Sequence, residues 1–257
     1  MTNEAKQVLK ISKLTIRYGD LVAVSELEMM LGEGEILGLI GPNGSGKSTT
    51  FKGILGIVRP YQGTVSLNGD DLVGLRTCDV AKRGIAYTSQ VPSLFPEMTV
   101  YDNVCVGFHS RRQAKLPGIL LRTSAVRRED RQVAEEVEEV LRFTGIREFQ
   151  EALAYNLPFG IGRMVQVARA LLQKPRVLLL DEPSAGMSAG EKEKIMELIK
   201  NINRQGVSII LVEHDMHMVM NTAQRIVVLN YGNKIAEGPP QAIQADPQVV
   251  EAYLGKG

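Results

Sequence analysis

Cysteine is scarce in this 257-residue chain: Cys78 and Cys105 stand far apart, with no CxxC and no histidine cluster near either. That spacing argues against a metal site or a redox pair and leaves both thiols to be read as small buried hydrophobes. An excess of one charge is also lacking. Basic residues number 30 and acidic residues 29, a formal net charge of +1, so no global field argues for nucleic acid or an anionic membrane surface. Long apolar runs are missing too, since no stretch approaches the roughly 18 to 20 residues of a spanning helix. The opening MTNEAKQVLK has no apolar core of the kind a signal peptide carries. The expectation is a protein that stays in the cytoplasm and serves a membrane, if it serves one, as a peripheral subunit. Internal repeats and low-complexity linkers are absent as well, so one functional unit is expected and not two.

What remains is an ordinary globular composition, 44% hydrophobic and 23% charged, long enough to bury a sizeable core. Residues 9–17 alternate as LKISKLTIR, and after Tyr18-Gly19-Asp20 the segment Val22 to Leu31 reads as a second strand, an antiparallel start. GEILGLI at 34–40 is a short apolar run that feeds a glycine-rich loop, and Lys47 to Ile57 continues at helical spacing. Strands follow at 63–67 and 85–88, the second ending in Ser89-Gln90. From Pro92 to Met164 the pattern is mostly helical, most clearly over Ser124 to Phe143, with Val133, Val137, Val140 and Leu141 on one face. Glu138 and Arg142 form a favourable pair four residues apart on that helix. Past Pro175 the chain alternates strand and helix: VLLLD, a helix over 190–203, VSIILVE, a helix over 214–222, then RIVVLN. Such alternation argues for a parallel sheet covered by helices, with the helical stretch as an inserted lobe.

The string GPNGSGKS at 41–48 fits G-x-x-x-x-G-K-[ST] and lies between an apolar strand and a helix, the context that the motif requires. Backbone N–H groups of Gly44, Ser45, Gly46 and Lys47 would wrap a β-phosphate at the helix N-terminus. Lys47 would reach the β- and γ-phosphates, and the Ser48 hydroxyl would ligate Mg²⁺. Gly41, Asn43 and Thr49 complete the nucleotide-binding loop. Downstream, Val177 to Leu180 predicts a strand buried on both faces, so that Asp181 and Glu182 emerge at its C-terminal end, where α/β proteins bind ligands. Asp181 suits a contact to Mg²⁺, direct or through water. Glu182 suits a general base or water-positioning group aimed at the γ-phosphate.

Phosphate loop, acidic strand end with a following glutamate, and His214 after the next strand come in an order that resembles the ABC ATPases. The resemblance spans nearly the whole chain. It implies an α/β P-loop NTPase core with an antiparallel β-subdomain and an inserted helical subdomain, the core taking about 1–91 and 165–257 and the helical part about 92–164. It implies that Tyr18 stacks on adenine, that Gln90 contacts Mg²⁺ and the attacking water, and that His214 donates to the γ-phosphate. No role follows for His109 or His217. Where the family reads LSGGQ, this chain has Asn156-Leu157-Pro158-Phe159-Gly160-Ile161-Gly162-Arg163. Only Leu157 and Gly160 survive. Pro158 supplies neither the serine hydroxyl nor a backbone donor, which leaves N–H groups at Gly160 and Ile161, and a helix end, to cap nucleotide in trans. Ser184-Ala185-Gly186-Met187 lacks the aspartate common in the family's loop after the acidic strand.

LPFG, PSAGM, VEHDMHMVM and the tail RIVVLNYGNKIAEGPP resemble the ATP-binding subunits of branched-chain amino acid importers. Importers of urea and of other neutral or polar amino acids share much of this vocabulary. The resemblance implies ATP and Mg²⁺ as ligands and a second, similar ATPase subunit, with a homodimer possible in isolation. It implies two transmembrane permease subunits, a periplasmic solute-binding protein acting indirectly, and a place on the cytoplasmic face of the membrane, with no nucleic acid. A soluble ABC ATPase of DNA repair or translation is disfavoured by the single cassette, the absence of a long coiled-coil insert and the neutral charge. Val91 to Val104, with Leu94 and Phe95 on a polar turn, is the candidate edge for a permease helix. Seven basic residues between Arg111 and Arg131 surround LPGILL at 116–121; they could meet lipid headgroups, but a solvated loop is the favoured reading, because the apolar part is too short.

Overall fold

A computed structural model describes residues 7–112 and 123–254 of the chain. Two compact units separate, one made of the residues up to Gln90 together with those from Arg176 onward, the other of Val91–Pro175.

The first unit opens on β1 (Gln7–Tyr18) and β2 (Leu21–Gly32), antiparallel across the turn that brings Tyr18 opposite Leu21. β4 (Gln62–Leu67) pairs with the other edge of β1, and β5 (Asp70–Asp71) completes a four-stranded sheet in the order β2-β1-β4-β5. A six-stranded sheet is built from β3 (Ile36–Ile40), β6 (Ile85–Thr88), β7 (Val177–Asp181), β8 (Ser208–Val212), β9 (Arg225–Asn230) and β10 (Asn233–Gly238), in the order β10-β9-β3-β8-β7-β6. Only β10 runs antiparallel to its neighbour.

Every residue of β3, β7 and β8 is buried, which is why these strands read as continuous aliphatic runs instead of alternating ones. Leu37, Leu39, Val227 and Leu229 join one core with Phe51 and Ile54 of α1 (Lys47–Ile54) and the β1–β2 hairpin. Ile40, Ile226 and Val228 face the opposite way, onto α7 (Met216–Thr222), α8 (Pro240–Ala245) and α9 (Pro247–Leu254). The remaining helices of this unit are α2 (Thr77–Lys82) and α6 (Ala189–Arg204), the latter opened by Ser188, whose backbone N–H donates to Glu191 Oε2 at 2.8 Å.

The parallel register has a direct consequence. Leu39 and Asp181 both lie beside Val212, and Thr88 lies beside Leu180. Four strands therefore end in one row, and the four loops that leave them start at the same edge.

In the second unit α3 (Val100–Cys105), a 3₁₀ segment over Val106–Arg111, α4 (Ser124–Phe143) and α5 (Phe159–Leu171) pack around Val100, Val104, Val137, Leu141, Val165 and Ala168. Val133 and Val140 join that cluster half-buried, and Arg142 Nε donates to Glu138 at 2.9 Å, as the helical spacing predicts. Glu136 collects Arg111, Gln132 and Lys174. Burial alone would raise the Glu136 carboxyl, but these three hydrogen bonds hold it down at about 2.

Several expectations need correction. Cys78 is exposed and Cys105 only half-buried, so neither is a fully buried small hydrophobe. The helix expected over 47–57 ends at Ile54, because Gly56 adopts φ +68° and Ile57 N–H returns to the Lys52 carbonyl. The helix expected from His214 begins at Met216, with Asp215 as its cap accepting from Met218 N–H at 3.2 Å. α5 starts at Phe159 and runs on to Leu171, across the expected domain boundary near 165, so the helical unit closes only at Pro175. Leu94 is packed into the helical core while Phe95 is exposed. β10 had no counterpart in the sequence reading. Of the basic stretch, Arg111 and Arg112 are paired with Glu136, Glu129 and Asp130, and 116–121 lies outside the described residues.

Gly107 reports how tightly the helical unit is packed: a Cβ there would stand 2.1 Å from the Arg169 carbonyl oxygen. Gly107→Ala should cost about 1 to 3 kcal/mol, the range of overpacking, read as a lower urea midpoint in far-ultraviolet circular dichroism.

Candidate active site

β3 delivers the chain into the phosphate loop, and the loop's shape is written in its glycines. Gly41 has φ +150° and Gly46 φ +106°; a Cβ on Gly41 would lie 2.0 Å from the Leu229 carbonyl oxygen, and one on Gly46 2.7 Å from that of Ala23. Only glycine meets both the dihedral and the spacing. The loop is fixed from behind by the β9–β10 turn, where Gly232 N–H donates to the Ser45 carbonyl at 3.0 Å. α1 follows at once, with Gly46 as its cap and Thr50 Oγ1 donating to the Gly46 carbonyl at 3.0 Å. Its first N–H groups have no carbonyl four residues back, which leaves them for an anion.

Lys47 is buried, and its ammonium donates to the carbonyls of Gly41 at 2.7 Å and Pro42 at 3.0 Å. Burial pushes its pKa below the ordinary lysine value, while the carboxylates of Glu182 and Asp181 pull it back up. Asp181, the last residue of β7, is 5% exposed and accepts from the Tyr87 hydroxyl at 3.1 Å. Burial raises its carboxyl above the usual range; Tyr87 opposes that rise, and the charge of Glu182 adds to it. Tyr87 is held edge-on to Phe51, ring centroids 6.0 Å apart, and burial beside Asp181 pushes its phenol upward. Sequence reasoning missed Tyr87; its place two residues before Ser89-Gln90, pointing across to the adjacent strand, was the available signal.

Glu182 turns out of the sheet at φ +49°, a left-handed conformation that costs a non-glycine residue about 1 kcal/mol. Its N–H donates to the Val212 carbonyl at 2.8 Å, which fixes the departure angle. The carboxylate then meets two side chains from two other loops. Gln90 Nε2 donates to Oε2 at 2.7 Å, and His214 Nε2 donates to Oε1 at 2.8 Å. Residues 92 and 32 positions away in sequence thus converge on one carboxylate.

Gln90, Glu182 and His214 line a pocket of about 420 Å³ together with Ala23 and the loop residues Asn43, Gly44, Ser45, Gly46, Lys47, Ser48 and Thr49. Tyr18 is not in that lining; it stands 45% exposed at the end of β1. Gly160 belongs to the helical unit, where Pro158 caps α5 and places Phe159, Gly160 and Ile161 in its first turn. The Pro158 carbonyl accepts from Gly162 N–H at 3.1 Å.

The ABC transporter family model matches residues 24–185, and the model of the branched-chain amino acid ATP-binding cassette transporter family matches residues 233–257. The chain is 35% identical to the high-affinity branched-chain amino acid transport ATP-binding protein BraF of Pseudomonas aeruginosa, covering 98% of this chain and 99% of the relative. It is 38% identical to the LivG protein of the same description from Salmonella typhimurium, with the same coverage. It is also 31% identical to the lipopolysaccharide export system ATP-binding protein LptB of Haemophilus influenzae, over 97% of this chain and 98% of that one. Among solved structures, an ATP-binding cassette of an ABC transporter in its ADP conformation superposes with a TM-score of 0.85 at 27% identity, covering 97% of this chain and 99% of the other.

Lys47 and Glu182 are the residues expected to separate binding from turnover. Lys47→Ala should lose nucleotide binding, whereas Glu182→Gln should bind ATP and release phosphate at least about 10²-fold more slowly; a fluorescent nucleotide titration and a phosphate-release assay on the same preparations distinguish the two.

Proposed function

This chain belongs to the ABC transporter ATP-binding family and is an ATPase, and from that premise we propose that it energises an importer of branched-chain or other neutral amino acids. The observation that carries the substrate class is the match of residues 233–257 to the branched-chain cassette model. Likeness to the whole cassette is less selective, because an exporter's ATPase shares it at 31% identity.

In the proposed mechanism the N–H groups of Gly44, Ser45, Gly46 and Lys47 and the start of α1 take the β-phosphate, and Lys47 reaches onward to the γ-phosphate. Ser48, Gln90 and Asp181 supply hydroxyl, amide and carboxylate oxygens, a hard donor set that fits Mg²⁺. Bound there, Mg²⁺ would neutralise charge on the β- and γ-phosphate oxygens. Glu182 accepts the proton of the attacking water, held in place by Gln90 on one oxygen and His214 on the other. As the proton reaches Glu182, His214 would turn its Nε2–H from that carboxylate toward charge developing on the transferred phosphoryl group. Tyr18 stacks on adenine in this reading, and its exposed ring is accessible for that.

We place the protein at the cytoplasmic face of the membrane, docked on two permease subunits beside a second ATPase subunit and fed by a solute-binding protein. Among the described residues no helix is long and apolar enough to cross a membrane, which suits a peripheral subunit. Exposed Val91 and Phe95 support residues 91–104 as the permease edge. The second subunit's nucleotide would be capped by the first turn of α5, with backbone N–H groups at Gly160 and Ile161 replacing the absent serine hydroxyl.

Cells that lack this subunit should lose uptake of labelled leucine and keep uptake of urea; loss of urea or glutamine uptake alone would reassign the substrate. Gly160→Asp should lower ATP turnover by about tenfold or more by placing a carboxylate against the capped phosphate, and unchanged turnover would remove α5 from the site.

A further inference from the structure

Glu213 lies between the end of β8 and His214, and the preceding mechanism gives it no part. Its side chain is 2% exposed. A carboxylate so deeply buried needs hydrogen-bond donors to compensate for lost water. Glu213 finds them in the backbone of two different loops. Oε1 accepts from Ser184 N–H at 2.8 Å, and Oε2 accepts from His214 N–H at 3.1 Å. Ser184 is two residues past Glu182, inside the tight turn in which Ala185 N–H returns to the Glu182 carbonyl at 3.2 Å. One carboxylate therefore spans the loop that carries the glutamate and the loop that carries the histidine.

On the far side of His214 a second acidic group is fixed. Asp215 accepts from Met218 N–H at 3.2 Å and pairs with Lys192 Nζ of α6 at 2.7 Å. The backbone of His214 is thus anchored at both neighbours, while its imidazole is free to reach Glu182 Oε1. Glu182 itself needs restraint, since its positive φ persists only where surrounding bonds enforce it.

We propose that Glu213 is a positioning residue for hydrolysis, one that holds the Glu182 and His214 loops in mutual register by accepting a backbone hydrogen bond from each. Two acceptor oxygens on one rigid group are needed for this. Glutamine offers one oxygen and turns an NH₂ group toward the other N–H. The proposal rests on the assignment of Glu182 and His214 to hydrolysis.

The test compares wild type, Glu213→Gln, Glu213→Asp, His214→Ala and the Glu213→Gln/His214→Ala double variant in the full chain, by kcat and KM for MgATP and by thermal midpoint. We expect Glu213→Gln to lower kcat about 10- to 100-fold with KM within about threefold of wild type. Glu213→Asp, which keeps both oxygens on a shorter arm, should recover part of the rate. In the double variant Glu213→Gln should add little to the loss caused by His214→Ala, because the two act through one arrangement. A kcat within about twofold of wild type for Glu213→Gln overturns the proposal. So does multiplicative loss in the double variant, or a rate that falls only in step with loss of folded protein. Failure of the underlying assignment looks different: His214→Ala alone would then leave kcat unchanged.

Discussion

The site depends on the parallel register of β3, β8, β7 and β6. Because Leu39 and Asp181 flank Val212 and Thr88 flanks Leu180, the four strands stop in line and their loops meet over one edge. Parallel strands make this possible, since every C-terminal end points the same way. The phosphate loop, the acidic pair, Gln90 and His214 are then neighbours without any contact having to draw them together. A one-residue slip would rotate each strand's side chains to the opposite face and withdraw Asp181 from Tyr87.

Burial of charge is the second constraint. Lys47, Asp181 and Glu213 are all nearly inaccessible, and each would be costly if left unpartnered. The fold answers with fixed dipoles: loop carbonyls for Lys47, the Tyr87 hydroxyl for Asp181 and two backbone N–H groups for Glu213. Such partners are preorganised, so they need little rearrangement when charge nearby changes. Glu182 keeps its left-handed φ because its N–H is held by the Val212 carbonyl and the turn after it by Glu213.

The helical unit follows a different logic. Its α5 begins with Pro158 as cap, a residue with fixed φ that suits a helix entry but brings no side-chain acceptor for the first turn. A serine-based signature and this one share a helix N-terminus and differ in what the entry residue offers. Backbone donors of the first turn remain in either case, and they are the basis of the capping role proposed for Gly160 and Ile161.

Much of the nucleotide site was legible in the chain itself. Glycines at 41, 44 and 46 before Lys47 announce a loop that only glycine can trace, and the run Val177 to Leu180 announces a strand buried on both faces with carboxylates at its end. Those are local properties, set by dihedrals and by the period of burial. The helix expected over 47–57 stops at Ile54 and the one expected from 214 starts at Met216, because caps are decided by a single φ or a single side-chain bond that periodicity does not register. What the sequence determined by itself was therefore the identity of the phosphate loop, the acidic strand end and the order of Gln90 and His214 around them. That Gln90 and His214 grip the same carboxylate, that Tyr87 steadies Asp181 and that Glu213 bridges two loops is settled by the folded chain. Apart from the bond between Glu213 and its neighbour His214, those contacts join residues 29 to 94 positions apart, and such separations are closed by strand order and register, which no local pattern encodes.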